Sequence, residues 1–206
     1  MEKGVNHKMN KIILVISVCK EKLHELEFVR PIEFILNSEN KKFETKHYLE
    51  ILDGENFNSY SHVIVCGTSL KDFSYLERLD KFSWIKDFGG SLLGICAGMQ
   101  IIGLVNGCKL ENYLQIGLSL EYFNKTFLGL ESFGEKNSLE GEQIQIYSLH
   151  NKYIDFNNLD NFEVYCATKC KIPIPQAVKH KEKEIYGVLF HPEVRNKELI
   201  INFINL

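Results

Sequence analysis

The stretch at residues 92–100 most constrains how this chain can fold. An apolar run ends abruptly at Cys96, small residues flank the cysteine, and a helical pattern begins at once. Gly94 and Gly98 tolerate the backbone crowding that a sharp turn requires. The pattern therefore predicts a strand-to-helix turn with Cys96 at its tip, as in a nucleophile elbow. There the sulfur would lie at the positive end of the helix, which favours the thiolate form.

The same stretch has a second interpretation, because free cysteines are often buried for packing alone. A structural cysteine at the end of a buried strand would produce a similar local pattern. Residues 92–100 by themselves leave both interpretations open.

Length and composition limit the classes of protein to consider. The chain has 206 residues, 45% hydrophobic and 25% charged, which suits one globular domain. We expect a flexible N-terminus over residues 1–10 and a single domain over residues 11–206. The formal charge of -3 gives no reason to expect binding to nucleic acid or an anionic membrane.

The cysteines and the first apolar run indicate a compartment. The run at residues 12–18 is too short to span a bilayer, and no cleavage site of small residues follows it. Six cysteines in a chain of this length are not typical of a disulfide scaffold, so we expect a cytoplasmic protein. Cys166 and Cys170 are four residues apart, but no second Cys/His pair of metal-ligand spacing accompanies them, and we expect no metal.

Buried strands alternate with helical patterns in the first half of the chain. Such alternation predicts a parallel sheet with helices on both faces, whose sites lie at the carboxyl ends of the strands. Gly67 and Cys96 both follow predicted strands, so we expect them to be neighbours. The predicted strands are residues 11–18, 43–52, 63–66 and 91–95, and the predicted helices are 21–37 (interrupted at Pro31), 71–88 and 98–105.

The pattern changes after residue 110, where shorter strands are predicted to form a mixed sheet. A final helix with an apolar face is predicted at its end. The predicted strands are residues 116–123, 143–147, 162–168, 176–179 and 186–190, and the helix is 196–204.

A second stretch that could take part in catalysis follows the last of these strands. There the chain reads His191-Pro192-Glu193. The Glu193 carboxylate lies close enough in sequence to accept a hydrogen bond from the His191 ring. A histidine oriented in this way can take a proton from a thiol and return it to a leaving amine. The alternative is an ordinary histidine at a capped strand end.

Together, the two stretches resemble the class I glutamine amidotransferases. The resemblance rests on Gly-Ile-Cys-Ala-Gly-Met-Gln at residues 94–100 and Gly-Val-Leu-Phe-His-Pro-Glu-Val at residues 187–194. It runs from about Val63 to the C-terminus. Residues 176–180 and 185–194 are most similar to the glutaminase subunit of archaeal GMP synthetases. The motif around Cys96 is also similar to the glutaminase subunit of imidazole glycerol phosphate synthase.

The resemblance implies a fold and a mechanism. The fold is α/β, a flavodoxin-like three-layer sandwich with a central, mostly parallel sheet. In the implied triad, Cys96 attacks the side-chain amide of glutamine, His191 transfers the proton, and Glu193 orients His191. No cofactor is implied. The implied partners are L-glutamine and an ATP-dependent synthetase subunit, with neither nucleic acid nor a membrane.

The resemblance also implies a substrate pocket. The oxyanion would be held by backbone N–H groups of Ala97 and of the Gly67-Thr68 turn. Gln100 matches a position that contacts glutamine, and residues 149–151 match a loop that closes over the glutamine backbone through His150 and Asn151. For His150, a simple surface-loop histidine stays open as an alternative.

The chain departs from the family pattern at three places. One is Ala97, where the family residue is usually larger but only the backbone is needed. Gly67-Thr68-Ser69 stands where the family usually has Gly-Gly-Pro. Because β-branched Thr68 restricts the backbone, we expect a different oxyanion turn. The family's Asp-x-Gly/Tyr after the first strand is absent, and residues 17–21 read Ser-Val-Cys-Lys-Glu.

The sequence therefore predicts a glutaminase that supplies ammonia to a partner synthetase, with a GMP synthetase-like partner favoured. One alternative is a γ-glutamyl hydrolase that acts on another γ-glutamyl amide. Another is a non-catalytic regulatory subunit with the same fold. The joint presence of Cys96, His191, Glu193 and Gln100 speaks against the regulatory subunit.

Overall fold

The computed structural model describes residues 12–131, 143–168 and 170–206. The expected flexibility of residues 1–10 therefore concerns residues outside these ranges. The strands are β1 Ile12–Ser17, β2 Phe43–His47, β3 Tyr60–Val65, β4 Ser91–Ile95, β5 Leu110–Glu121, β6 Ile144–Ile154, β7 Phe162–Thr168, β8 Ile174–His180 and β9 Ile185–Val188. The α-helices are α1 Glu25–Phe28, α2 Arg30–Ser38, α3 Ala97–Val105, α4 Pro192–Arg195 and α5 Lys197–Phe203.

Seven strands form the central sheet, in the order β2-β1-β3-β4-β9-β8-β7. The five strands from β2 to β9 run parallel, and β8 and β7 continue the sheet antiparallel. The predicted mostly parallel sheet is thus confirmed. Parallel pairing places the carboxyl ends of β3, β4 and β9 side by side, since Val65 is opposite Gly94 and Ile95 is opposite Val188.

Strand β1 shows why the sheet is covered on both faces. Its side chains alternate, so that Ile13 and Val15 enter one core while Leu14 and Ile16 enter the other. Helices α1, α2 and α5 contribute to the first core, and α3 contributes to the second. A strand buried on both faces reads as a continuous apolar run, and the result is the expected three-layer sandwich.

The second half of the chain departs from the predicted single mixed sheet. Strands β5 and β6 are long and pair only with each other among the described residues, as a separate antiparallel two-stranded sheet. We call this unit the hairpin. It lies against the carboxyl edge of the main sheet, where the Tyr147 carbonyl accepts from the His191 N–H.

One predicted helix differs. Residues 74–86 form 3-10 helical turns rather than an α-helix, with a break at Arg78 (φ -133°, ψ 40°). The predicted interruption of the helical pattern at residues 21–37 is present, since α1 and α2 are two separate helices and Pro31 lies in the first turn of α2. Proline is favoured in that first turn, where its missing N–H is not needed.

Within the described ranges, no helix is both long and apolar enough to cross a membrane.

Candidate active site

Cys96 lies at a strained turn between β4 and α3. The strand ends at Ile95, the helix begins at Ala97, and Cys96 itself has φ 50° and ψ -100°. A positive φ is uncommon outside glycine and is maintained only where the surroundings impose it. Here the Cys96 N–H donates to the Val188 carbonyl at 2.7 Å, and the Cys96 carbonyl accepts from the Gln100 N–H at 3.0 Å. The predicted strand-to-helix turn is therefore present.

The glycines around this turn are required by close backbone contacts. A Cβ atom added to Gly94 would lie 2.5 Å from the carbonyl carbon of Gly98. A Cβ atom added to Gly98 would lie 2.2 Å from the Val65 carbonyl oxygen. Both distances are shorter than any ordinary carbon contact, so the turn can form only with glycine at both positions.

His191 and Glu193 form a buried pair at the end of the neighbouring strand β9. The His191 Nδ1 and the Glu193 Oε1 are 2.7 Å apart, and their side chains are 1% and 0% exposed. The His191 N–H donates to the Tyr147 carbonyl at 2.8 Å, which fixes the backbone. Pro192 begins the short helix α4, whose first turn carries Glu193.

Burial and charge act on His191 in opposite directions. Burial alone would lower the pKa of His191, but the charge and hydrogen bond of Glu193, with the nearby sulfur of Cys96, hold it well above its usual value. The other ring nitrogen, Nε2, is buried and has no hydrogen bond of ordinary geometry to a described atom. Cys96 lies near enough to affect the pKa of the His191 ring. Its thiol is therefore the candidate partner for proton exchange with Nε2.

Gly67 shows how closely the three strand ends meet. A Cβ atom added to Gly67 would lie 2.7 Å from the His191 Cε1 and 3.4 Å from the Cys96 Cβ. Gly67 follows β3, Cys96 follows β4, and His191 follows β9. The structure thus brings Gly67, Cys96 and His191 together at the carboxyl edge of the sheet.

A small, half-open pocket lies beside Cys96. Gln100 lines it and is held on both sides: its Nε2 donates to the Lys152 carbonyl at 3.1 Å, and its Oε1 accepts from the Tyr75 hydroxyl. The Nδ2 of Asn151 donates to the Leu70 carbonyl at 2.9 Å. The predicted substrate-side residues on the pocket wall are Thr68, Ala97, Gln100, His150 and Asn151.

The sequence did not predict three features of this pocket. Tyr75 orients Gln100, Asp72 anchors Thr68 through a hydrogen bond of 2.6 Å, and the Leu149 carbonyl accepts from the Cys96 thiol at 3.7 Å. Tyr75 and Asp72 belong to a segment predicted only as a helix. A backbone carbonyl leaves no residue-type signal in a sequence. In the described part of the chain, the pocket included, no three His, Cys, Asp or Glu side chains are grouped as a metal site would require.

His150 is not the surface-loop histidine of the alternative interpretation. It lies on β6, is 2% exposed and lines the pocket. Burial is the main cause that lowers its pKa to about 4, so the ring is neutral at pH 7.

This burial predicts an acid-sensitive contribution to stability. Between pH 6.5 and pH 4 the unfolded chain binds a proton at His150 and the folded chain does not, so stability falls as the pH falls. A pKa difference of this size between the unfolded and folded chains corresponds to about 3 kcal/mol of unfolding free energy once the pH has fallen through both pKa values. We expect His150→Gln to lose less unfolding free energy over that interval, in urea titrations at several pH values. Above pH 6.5 the two proteins should have parallel profiles, and equal slopes below pH 6.5 would contradict the assignment.

Comparison with known proteins agrees with this geometry. The sequence model of the family "Glutamine amidotransferase class-I" matches residues 36–205, further toward the N-terminus than the motifs indicated. The chain belongs to the class I glutamine amidotransferase family.

Among individual proteins, the chain is similar to subunits of GMP synthases. The chain is 34% identical over 122 residues to a glutamine-hydrolyzing GMP synthase subunit of Methanosphaera stadtmanae, a match covering 54% of this chain and 58% of the relative. It is 31% identical over 142 residues to the GMP synthase subunit of the same name from Picrophilus torridus, covering 66% and 69%. The chain thus spans little more than half the length of the first of these relatives.

Solved structures share the fold. A protein from Thermoplasma acidophilum, assigned as a GMP synthase subunit, superposes with a TM-score of 0.73 at 20% identity, covering 94% of this chain and 93% of the other. A glutamine amidotransferase from Thermotoga maritima gives 0.64 at 17% identity, covering 95% and 81%. The flavodoxin-like α/β architecture is thereby supported independently of the motifs.

Proposed function

We propose that this chain hydrolyses the side-chain amide of glutamine through a thioester on Cys96 and supplies the ammonia to a synthetase. The observation that carries the proposal is the strained Cys96 beside the buried His191–Glu193 pair. Gln100 and His150 line the pocket next to this thiol. An ordinary buried cysteine would need neither the strain nor the charged neighbour.

The proposed reaction has two halves that balance. The Cys96 thiol transfers its proton to His191, and the sulfur attacks the amide carbon of glutamine. The carbon–nitrogen bond then breaks, and the proton on His191 passes to the leaving nitrogen, which departs as ammonia. In the second half His191 takes a proton from water, and the hydroxide attacks the thioester carbon. The carbon–sulfur bond breaks, the proton on His191 returns to the Cys96 sulfur, and glutamate is released.

The relatives' names favour a partner, because they describe one subunit of a GMP synthase. We propose that this chain likewise acts with an ATP-dependent synthetase, and that a GMP synthetase-like protein is the first partner to test. A cytoplasmic location stays the prediction from cysteine usage. No specific observation favours the γ-glutamyl hydrolase alternative.

An exposed apolar stripe on β5 supports such a partner. Four large side chains alternate along one face of this strand and are each more than half exposed: Leu114, Ile116, Leu118 and Leu120. A long exposed apolar strand without a second sheet neighbour invites association with another chain. We propose that the synthetase subunit covers this stripe.

The inner face of the hairpin explains why the stripe points outward. The Gln115 Oε1 accepts from the Gln176 Nε2 at 3.1 Å, and the Glu121 Oε1 accepts from the Thr168 hydroxyl at 3.0 Å. A shift of the strand by one residue would bury the stripe but break both bonds. The polar face is thus anchored to the main sheet, and the apolar face is exposed in the described part of the chain.

The second strand of the hairpin connects this stripe to the catalytic residues. Along one edge of β6, the Tyr147 carbonyl accepts from the His191 N–H, and the Leu149 carbonyl accepts from the Cys96 thiol. A partner that binds β5 would therefore press on the strand that contacts Cys96. This arrangement supports a glutaminase that becomes active when docked.

The experiment measures glutamate release from glutamine by the purified chain, alone and with the synthetase component of an archaeal-type GMP synthetase and its substrates. We expect slow release alone and at least about tenfold stimulation by the partner. In Leu118→Lys we expect the stimulation to disappear while the unstimulated rate is kept. Leu52→Lys is the matched control, since Leu52 is 74% exposed outside the hairpin, and it should respond like the parent.

Three other outcomes of these measurements would each contradict a different part of the proposal. Full turnover by the isolated chain, unchanged by any synthetase, would refute the docked subunit and revive the γ-glutamyl hydrolase. Equal loss of stimulation in Leu118→Lys and Leu52→Lys would remove the stripe from the proposal. Self-association that Leu118→Lys abolishes, measured by light scattering, would assign the stripe to a second copy of this chain.

A further inference from the structure

We infer that Asp72 is a positioning residue that holds the Gly67–Thr68 peptide in place as an oxyanion donor. This inference rests on the proposed glutaminase function and adds a residue that lies outside both motifs. It also explains how a turn with threonine at position 68 can serve the reaction.

The Asp72 carboxylate joins three segments around the pocket. Its Oδ2 accepts from the Thr68 hydroxyl at 2.6 Å and from the Lys20 N–H at 2.6 Å. Its Oδ1 accepts from the Ser74 N–H at 3.1 Å and from the Ser74 hydroxyl at 2.8 Å. Asp72 therefore ties the turn after β3 to the loop after β1 and to the start of the 3-10 segment.

These four bonds leave Asp72 no lone pair for a substrate. A carboxylate offers about four acceptor positions, and protein donors occupy all of them. Although Asp72 lines the pocket and is only 6% exposed, it is therefore not available to bind the ammonium group of glutamine. Burial would raise the pKa of Asp72, but the hydrogen bonds from Lys20, Thr68 and Ser74 outweigh it and keep the pKa below its usual value.

The peptide between Gly67 and Thr68 is fixed from its other side as well. The Gly67 carbonyl accepts a weak hydrogen bond from the Cys19 thiol at 3.7 Å. In a planar trans peptide the N–H points opposite to the carbonyl, so this contact directs the Thr68 N–H away from Cys19. Within the described residues, no carbonyl accepts from the Thr68 N–H or the Ala97 N–H.

Thr68 and Ala97 both line the pocket beside Cys96. Two unoccupied N–H donors near a nucleophile are what a tetrahedral oxyanion requires. The Thr68 side chain, bonded to Asp72, prevents its peptide from rotating. Loss of that bond should weaken binding of the transition state more than binding of glutamine.

The experiment uses the full chain with its synthetase partner and compares Thr68→Val, Thr68→Ser and Asp72→Asn. Valine keeps the shape of threonine but lacks the hydroxyl, and serine keeps the hydroxyl. We expect Thr68→Val and Asp72→Asn to lower kcat for glutamate release about 10²-fold, with KM changed less than about threefold. Thr68→Ser should restore most of the kcat, and Thr68→Val/Asp72→Asn should be no slower than the slower single variant.

Thermal unfolding of each variant at the assay pH shows whether the fold is intact. A residue that only supports the fold would lower the melting temperature and the amount of active enzyme, without a selective loss of kcat and without rescue by serine. A kcat of Thr68→Val equal to that of the parent would overturn the inference and leave the proposed function standing. An inactive parent, with or without partner, would overturn the proposed function itself.

Discussion

Cys96→Ala is expected to lower glutamate release by about 10⁴-fold or more, because the substitution removes the only atom that can form the thioester. Alanine retains the β-carbon and the same backbone strain, so we expect little change in thermal stability. The measurement is glutamate release in the presence of the synthetase, with melting temperature recorded for the same preparations.

Cys170→Ala is the control for this prediction. Its thiol is exposed and lies outside the pocket residues, and the variant should match the parent in both measurements. If Cys96→Ala kept glutamate release within tenfold of the parent, the covalent mechanism would be wrong, whatever the family membership.

Glu193→Gln is expected to lower kcat by about 10³- to 10⁴-fold, in line with other triads whose orienting carboxylate becomes an amide. Glutamine has almost the same shape, so the buried site stays filled. It lacks the negative charge that raises the pKa of His191. The imidazole then becomes a poorer base toward the thiol and is no longer held in one tautomer.

The same substitution has a signature in stability. A raised histidine pKa stabilises the fold fully below the unfolded value of about 6.5 and loses this contribution as the pH rises through the folded pKa. The stability deficit of Glu193→Gln should therefore be largest below pH 6.5 and shrink in alkaline solution. A deficit that is independent of pH would show that Glu193 does not act through the charge of His191.

The sequence predicted the strand-to-helix turn at Cys96 because the signals for this turn are local. An apolar run, two glycines and a helical pattern are contiguous around Cys96, and the backbone contacts of Gly94 and Gly98 explain why no other residue fits. The meeting of Cys96 with His191 was predicted only through the family resemblance, and the structure explains it by the parallel pairing of β4 with β9. The pairing of His191 with Glu193 needed only a separation of two residues.

The hairpin could not be predicted in the same way. Alternation along β5 correctly indicates a strand, but it does not tell which sheet the strand joins. The alternation also predicts that the apolar face points inward. In the structure Gln115 and Glu121 point inward instead, because they form hydrogen bonds with Gln176 and Thr168. Such an inversion depends on residues more than 40 positions away, which a local pattern does not contain.

The contacts of Asp72 were hidden for a related reason. The spacing of apolar residues over 71–88 predicts a helix and gives no role to the polar side chains between them. In the structure Arg78 departs from helical geometry. An aspartate four residues after Thr68 is common in any turn. Only the folded chain shows that Lys20 and Ser74 converge on the same carboxylate.

The φ of 50° at Cys96 has a consequence for protein engineering. Strain of this kind costs a fold about 1–3 kcal/mol, and glycine is the residue that relieves it. A library selected for heat resistance alone would therefore enrich glycine at position 96 and yield more stable proteins without a nucleophile. Any effort to stabilise this chain has to keep catalysis under selection, since the proposed nucleophile occupies a strained position.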